Sequence, residues 1–137
     1  MGLVYAEIEL INAEDLGMAR RGFIKTAEVR RIGVAALVDS GASMLVIPEA
    51  VRLQLGVEIV SHEVAEYANG RLEEVPVAGP LEIRFANRRT VADAVVIGSE
   101  VLLGAIPMEA MDVVIHPRTR QLAVNPANPT MPKVIIK

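Results

Sequence analysis

The stretch Ala36-Leu37-Val38-Asp39-Ser40-Gly41-Ala42-Ser43 places a carboxylate at the end of an apolar run and follows it with small residues. A buried Asp destabilises a fold unless it is hydrogen-bonded, and Gly lets the backbone approach groups that a side chain would block. Two interpretations are open from these residues alone. The segment is either a tight turn or a functional site.

Composition limits the classes of protein to which the chain can belong. Its 137 residues suffice for one domain, and with 52% hydrophobic but only 3% aromatic residues the core must be mainly aliphatic, which favours β-sheet packing. With 14 basic and 17 acidic residues the net charge is -3, so we expect neither nucleic acid nor an anionic membrane as a partner. The absence of Cys excludes disulfides, thiol chemistry and Cys-type zinc sites.

Targeting segments are not evident in the sequence. The first ten residues, MGLVYAEIEL, lack the basic segment and apolar core of a signal peptide. The most apolar window, residues 95–115, is interrupted by Gly, Pro and acidic residues, and it therefore predicts a core segment instead of a membrane span. We expect a cytoplasmic protein.

Short apolar runs separated by turn residues predict an all-β protein, a barrel or a sandwich, because they do not alternate with long helices. Predicted strands lie at residues 3–10 (followed by a loop, NAEDLG), 23–32, 33–38 and 44–47, in hairpins that turn at Asn69-Gly70, near Asn87 and at 117–119, and two short helices lie at 49–55 and around Pro107. Residues 1–125 are predicted to form one domain. The tail, 126–137, carries three prolines, and its apolar residues 134–136 form either a pairing strand or part of a disordered end.

Other polar residues are weaker candidates for chemistry. His62 and His116 lie in different hairpins, and neither has a partner at metal-ligand spacing, so we expect structural or surface roles and no metal or cofactor. Paired arginines such as Arg88-Arg89 are more typical of protected strand edges than of phosphate sites. Asp112 and Asp93 are interpreted as capping or solvated groups.

Two motifs and their order resemble the retropepsin-like aspartic proteases. ALVDSGAS resembles the Asp-Thr/Ser-Gly-Ala loop of that family, and VLLGAIPMEAM, at 101–111, resembles its second landmark, an apolar pair followed by Gly and a short helix. The hairpin predicted at Asn69-Gly70 lies between them, where the family has its flap. The resemblance covers most of residues 34–111. It implies a closed β-barrel of the retropepsin type, with one or two short helices and a flap hairpin.

The same resemblance implies roles for individual residues. Asp39 would be the catalytic carboxylate, and Ser40 would match the hydroxyl that ties the two loops of a dimer together. Further matching positions are Gly41 and Ala42 in the active-site loop, Ala68, Asn69 and Gly70 at the flap tip, and Leu102, Leu103 and Gly104 as support beneath the loop.

The chain departs from the family pattern in two ways. The family often has an Arg after the second Gly and an acidic residue after the loop, whereas this chain has Ala105 and Met44, so apolar contacts would replace an ion pair. The predicted flap is charged, with Glu66, Arg71, Glu73 and Glu74, where a glycine-rich tip is more familiar. Ala42 offers no hydroxyl donor to the carboxylate, so we expect cleavage to be fastest at mildly acidic to near-neutral pH.

Hydrolysis by this route requires two carboxylates that share one proton. The sequence contains a single Asp-Ser-Gly, so the resemblance implies a homodimer in which Asp39 of each chain meets its copy on a two-fold axis. It also implies that the apolar end of the tail, 126–137, can complete the dimer interface as a strand. The predicted function is therefore a homodimeric aspartic endopeptidase acting on peptides or unfolded proteins. Two alternatives stay open: a catalytically silent dimeric peptide-binding module on the same fold, and a structural β-barrel in which Asp39 only shapes a turn.

Overall fold

A computed structural model describes residues 2–137, which form mainly β-structure. The strands are β1 (Tyr5–Asn12), β2 (Arg31–Val38), β3 (Leu45–Ile47), β4 (Glu58–Glu66), β5 (Leu72–Phe85), β6 (Arg88–Val96), β7 (Leu102–Leu103), β8 (Val113–Ile115) and β9 (Leu122–Val124). The helices are α1 (Ala13–Arg20), α2 (Glu49–Leu55) and α3 (Ala105–Met111), with a 3₁₀ turn at Thr26–Glu28. The prediction of a mostly β fold is confirmed, whereas the prediction of only one or two short helices is wrong.

One seven-stranded sheet organises the molecule in the order β1-β2-β7-β3-β6-β5-β4, and β8 and β9 form a separate pair. Strand β1 also pairs with β5 over Glu9 to Asn12, which curves the sheet around its apolar interior. That the sheet closes into a barrel stays a prediction. No helix among residues 2–137 is long and apolar enough to cross a membrane.

The short strand β7 lies between β2 and β3, two strands that are adjacent in sequence. It runs parallel to β2, with Leu37 beside Leu102 and Val38 beside Leu103, and antiparallel to β3 at Val46. The connection between β2 and β3, residues 39–44, must therefore pass around the end of β7. This connection contains the Asp-Ser-Gly sequence.

Two groups of buried aliphatic side chains fill the interior. The larger lies between the sheet and the helices, and it includes Leu10, Leu45, Leu103 and Met111, all fully buried. The smaller consists of Val46, Val75, Val77 and Val95. Because these valines come from β3, β5 and β6, the smaller cluster ties the long β4–β5 hairpin to the strand that follows Asp39.

Helix α1 lies where the sequence predicts a loop after residue 10, and this prediction is wrong. Asn12 caps the helix by accepting a hydrogen bond from the Asp15 N–H at 3.0 Å, and acidic residues occupy the first turn. None of the helix residues is buried, so the segment has no apolar stripe from which to predict it. Capping, which is a local interaction, determines this helix.

One further segment differs from the expected strands. Residues 23–32 contain the 3₁₀ turn, in which the Lys25 N–H donates to the Glu28 side chain, and β2 begins only at Arg31. Arg30 forms hydrogen bonds with Asp15 instead, which hold this segment against α1. In the tail, residues 134–136 form no strand within the single chain, and their pairing at a dimer interface stays a prediction.

A buried carboxylate, Glu82, lies on β5 beneath α1. Its side chain is 1% exposed and accepts hydrogen bonds from Arg84 at 2.7 Å and Arg89 at 2.8 Å, with Arg20 of α1 at 3.8 Å. The Arg89 hydrogen bond, assisted by that from Arg84, lowers the pKa of the Glu82 carboxyl and outweighs the opposite effect of burial. This charged group therefore stabilises the fold in its ionised form.

We predict that Glu82→Gln lowers the free energy of unfolding at pH 7 by about 2 kcal/mol, because two hydrogen bonds to a charged acceptor are weakened. The folded-state pKa is depressed, so the wild-type advantage is complete above about pH 5 and shrinks as the pH falls below about 4. Urea unfolding of both proteins at several pH values measures this difference in the free energy of unfolding. Glu74→Gln, on the same strand but exposed, is the matched control, and it should change neither the free energy of unfolding nor its dependence on pH. An equal effect of the two variants would contradict the interpretation.

Candidate active site

Asp39 begins the connection between β2 and β3 and is half-buried. Its own N–H donates to the Leu103 carbonyl at 3.0 Å, which extends the parallel pairing of β2 and β7 by one residue. Its Oδ1 accepts from the Gly41 N–H at 2.9 Å, and its carbonyl accepts from the Ala42 N–H at 3.1 Å. The carboxylate is thus held at the mouth of a tight turn with one oxygen already oriented by the backbone.

The beginning of α3 clamps the other half of this loop. The Ala105 N–H donates to the Ala42 carbonyl at 2.8 Å, and the Ile106 N–H donates to the Ser43 carbonyl at 2.9 Å. Gly104, directly before Ala105, lies very close to the loop. A Cβ on Gly104 would overlap the Met44 carbonyl oxygen and would lie 2.8 Å from the Ala42 carbonyl oxygen. Only Gly permits this approach without displacing backbone.

This clamp explains how the loop is held without the ion pair that the family often has. Met44 and Ala105 occupy the corresponding positions. The Ala105 N–H forms one of the hydrogen bonds of the clamp, and the Met44 side chain packs against the smaller valine cluster. Main-chain hydrogen bonds, supported by apolar packing, therefore hold the loop, where the sequence predicted apolar contacts alone.

The predicted hairpin with its turn at Asn69-Gly70 is present. The Tyr67 N–H donates to the Arg71 carbonyl, the Gly70 N–H donates to that of Tyr67, and Asn69 Oδ1 accepts from the Arg71 N–H at 2.9 Å. Gly70 adopts φ +84°, a conformation that favours Gly. The hairpin's strands, β4 and β5, pair over most of the length of β4, with one irregularity near Val60.

The hairpin tip carries its own polar contacts. The Tyr67 hydroxyl donates to Glu73 across the hairpin, and the Arg71 guanidinium lies 4.3 Å from the centre of the Tyr67 ring. The hydrogen bond to Glu73 raises the pKa of the Tyr67 phenol. Tyr67 thus contacts both charged side chains of the tip, Glu73 and Arg71.

A cleft of about 630 Å³ separates the loop from the hairpin. Its lining residues come from the loop, from β4 and the tip, and from the smaller valine cluster; they are Asp39, Gly41, Ala42, Ser43, Met44, Val46, Glu63, Val64, Ala65, Glu66, Tyr67, Ala68, Val75, Val95, Ile97 and Leu102. Of the residues named from sequence, Asp39, Gly41, Ala42, Ala68 and Leu102 meet on this cleft. Ser40, Asn69, Gly70, Leu103 and Gly104 lie outside its lining, in the loop, at the tip and in the clamp.

Comparison with known proteins places this geometry in a family. A family model described as "Aspartyl protease" matches residues 26–127. The chain belongs to the aspartyl protease family. The predicted resemblance to retropepsin-like aspartic proteases is confirmed.

One solved structure supports the fold of this aspartyl protease family member. The crystal structure of the retroviral protease-like domain of Ddi1 from Leishmania major is similar, with 14% identity, a TM-score of 0.56 and coverage of 92% of this chain and 90% of that chain. A protein of unknown function (DUF785) from Legionella pneumophila subsp. pneumophila str. Philadelphia 1 matches with 12% identity, a TM-score of 0.38 and coverage of 79% of this chain and 87% of that chain. This second similarity is too low to support a conclusion about the fold. No curated protein sequence matches the chain.

Sequence reasoning missed the side chains that fasten the tail of this aspartyl protease family member. Asp112 ends α3 at φ +55° and accepts hydrogen bonds from the Asn125 and Asn128 side chains and the Lys133 N–H. These bonds, that from Asn125 foremost, lower the pKa of the Asp112 carboxyl. Arg88, fully buried, donates to the Asn128 carbonyl at 2.5 Å. The capping role interpreted for Asp112 is correct, but its contacts with the tail have no local sequence pattern.

The histidines lie away from the cleft lining. His116 Nδ1 accepts from the N–H groups of Arg118 and Thr119 within the β8–β9 turn, and His62 is exposed on β4. Among residues 2–137 no group of three or more His, Asp and Glu side chains is placed to hold a metal ion.

We predict that Gly104→Ala destabilises the protein by about 3 kcal/mol, because the added methyl group must push apart the backbone of the loop and of α3. Urea unfolding measures the change. Gly33→Ala on β2 is the matched control, since a Cβ there has no heavy atom within 4 Å, and it should be neutral or stabilising by about 0.5 kcal/mol. A Gly104→Ala protein as stable as wild type would contradict the clamp.

Proposed function

We propose that the chain is an aspartic endopeptidase that acts as a homodimer and hydrolyses peptide bonds with the Asp39 carboxylates of two subunits. The observation that carries the proposal is the position of Asp39: it is the only Asp that lines the cleft in the described chain, and it lies on a loop clamped by backbone hydrogen bonds beneath a hairpin. Membership of the aspartyl protease family supports the same reaction.

The reaction needs one proton shared by two carboxylates. The ionised Asp39 takes a proton from a water molecule as that water attacks the scissile carbonyl carbon, and the protonated Asp39 of the other subunit donates a hydrogen bond to the carbonyl oxygen. Collapse of the tetrahedral intermediate breaks the C–N bond, and the leaving amine takes up the proton that the first carboxylate received. The new carboxylic acid and the amine then leave, and the pair again holds one proton.

The second carboxylate comes from a second copy of the chain in this proposal. The sequence has four aspartates and a single Asp-Ser-Gly, and none of the other three aspartates lines the cleft. A two-fold interface brings a residue near the axis onto its own copy, which would also bring the two Ser40 hydroxyls of adjoining loops together. An isolated chain would therefore be inactive.

The cleft suits an extended peptide. Its floor and walls are largely aliphatic, with Val46, Val75, Val95, Ile97 and Leu102 available to apolar side chains of a substrate. The hairpin lies above these residues and would cover the peptide. Exclusion of water by this cover would strengthen the hydrogen bonds around the scissile carbonyl.

We predict that Asp39→Asn reduces cleavage of an unfolded protein mixture at least about 100-fold, because general acid–base catalysis is lost. Asn retains an acceptor for the Gly41 N–H, so the loop and the oligomeric state should not change. Cleavage is followed by mass spectrometry from pH 3 to pH 8, with light scattering to measure the oligomeric state.

Asp93→Asn is the matched control, since Asp93 is exposed on β6, outside the cleft. It should cleave like wild type. Equal activity of Asp39→Asn and wild type would refute the mechanism, and a monomer under every active condition would refute the shared pair. Dimers that bind peptides without cutting them would instead support the silent binding module.

We also propose that the end of the tail joins the dimer interface. Val134, Ile135 and Ile136 are 76%, 84% and 82% exposed in the single chain, directly after Lys133, whose N–H is bonded to Asp112. The anchored residues 125–133 would position this apolar segment for pairing with a second copy.

We predict that deleting residues 134–137 raises the dimer dissociation constant at least about tenfold, because burial of even one aliphatic side chain contributes roughly 1.5 kcal/mol. The deletion leaves the bonds to Asp112 intact, so the stability of the single chain should not fall. Deleting Lys137 alone is the control. Sedimentation velocity at micromolar concentration measures the dimer, and an unchanged profile after the longer deletion would refute the role of the tail.

A further inference from the structure

Glu63 lies on the cleft side of the hairpin. It is directly opposite Val75 in the pairing of β4 with β5, and residues opposite each other in an antiparallel pair share a face. Val75 is 2% exposed and belongs to the valine cluster beneath the cleft, so this face of the hairpin points inward. Glu63 itself is exposed and lines the cleft.

The negative charge of Glu63 has no counter-charge in the cleft. Among residues 2–137, the cleft lining includes no Lys, Arg or His, and its other carboxylates are Asp39 and Glu66. Within the same described chain, Glu63 forms no ion pair and accepts no side-chain hydrogen bond. The nearest cation in sequence, Arg71, stacks on Tyr67 at the hairpin tip.

An aliphatic cleft with an uncompensated carboxylate on one wall discriminates among peptides by charge. It attracts a Lys or Arg side chain, whose aliphatic stem can pack on the valines while its charged end reaches the carboxylate. It disfavours an acidic side chain at the same place, because two like charges would face each other across an apolar surface.

We propose that Glu63 determines specificity by binding a Lys or Arg side chain of the substrate close to an aliphatic residue at the scissile bond. This inference rests on the proposed function, because it names the substrate class of the same cleft. A two-fold dimer would present a second Glu63 on the opposite side of the axis, so the preference for a cation would apply on both sides of the scissile bond.

The test uses a synthetic peptide library with aliphatic residues at the centre and Lys, Met or Glu at one flanking position at a time. Met is close to Lys in shape but uncharged, so the Lys-to-Met ratio isolates the charge. For wild type we expect kcat/KM to be about fivefold higher for Lys than for Met at the responsive position, with Glu below both, and the ratio to shrink in 0.5 M salt. Glu63→Gln should lower the ratio by about twofold or more, and the attraction that remains comes from Asp39 and Glu66, the other carboxylates of the lining.

Glu74→Gln is the matched control, because it removes the same charge from the same hairpin. Glu74 lies on β5 next to Val75, hence on the opposite face, and it does not line the cleft. This variant should keep the preference for Lys. Full retention of the preference in Glu63→Gln, or its loss in Glu74→Gln, would overturn the assignment.

Binding separates this inference from the proposed function. Fluorescence anisotropy with Asp39→Asn measures affinity for the same peptides without chemistry. Tighter binding of Lys peptides by Asp39→Asn, reduced when Glu63→Gln is added, supports the inference. It does so even where wild type cuts no peptide, because absence of cleavage counts only against the proposed catalysis. Cleavage without any preference for Lys would overturn the inference and leave the peptidase standing, and equal binding of Lys, Met and Glu peptides would overturn it in either case.

Discussion

The structure depends on the close contact between the Asp39 loop and the Gly104 region. Four backbone hydrogen bonds, donated by Asp39, Ala42, Ala105 and Ile106, connect this loop internally or to β7 and α3. The contact requires Gly104, because any side chain there would occupy the space of the loop carbonyls. It also requires β7 to lie between β2 and β3, since only then does the loop pass around the end of β7. The position of the carboxylate thus depends both on Gly104 and on the order of the central strands.

The parts of the fold that could be predicted are those determined by neighbouring residues. Asn69-Gly70 predicts a hairpin turn, and in the structure Gly70 supplies the positive φ that the turn needs. Gly56 ends α2 in the left-handed conformation because Gly adopts positive φ without strain. The Asp-Ser-Gly loop could be located because a carboxylate after an apolar run is unusual. Helix α1 could not be found from hydrophobic periodicity, since it buries none of its residues and begins at the cap formed by Asn12.

Long-range contacts account for what the sequence could not show. Gly104 is one of ten glycines, and its requirement becomes visible only when the backbone of residues 42–44 is placed against it. Arg88 and Glu82 look like surface residues in the sequence, yet both are buried. Glu82 pairs with Arg84 and Arg89 of its own hairpin, whereas Arg88 donates to the carbonyl of Asn128 in the tail, 40 residues away. Charged residues of this kind are predicted outside the core by default, because burial is tolerated only with partners that folding brings together.

The distribution of charge in the site follows from the same architecture. Where the family often has an ion pair, this chain holds its loop with main-chain hydrogen bonds, which do not titrate, so the geometry around Asp39 does not depend on the ionisation of a supporting residue. The charges of the site lie instead on the hairpin, at Glu63, Glu66 and the Tyr67–Glu73 contact, on the side of the cleft that a peptide would meet. In the peptidase that we propose, backbone groups below the cleft would support the carboxylate, and side chains above the cleft would select the substrate.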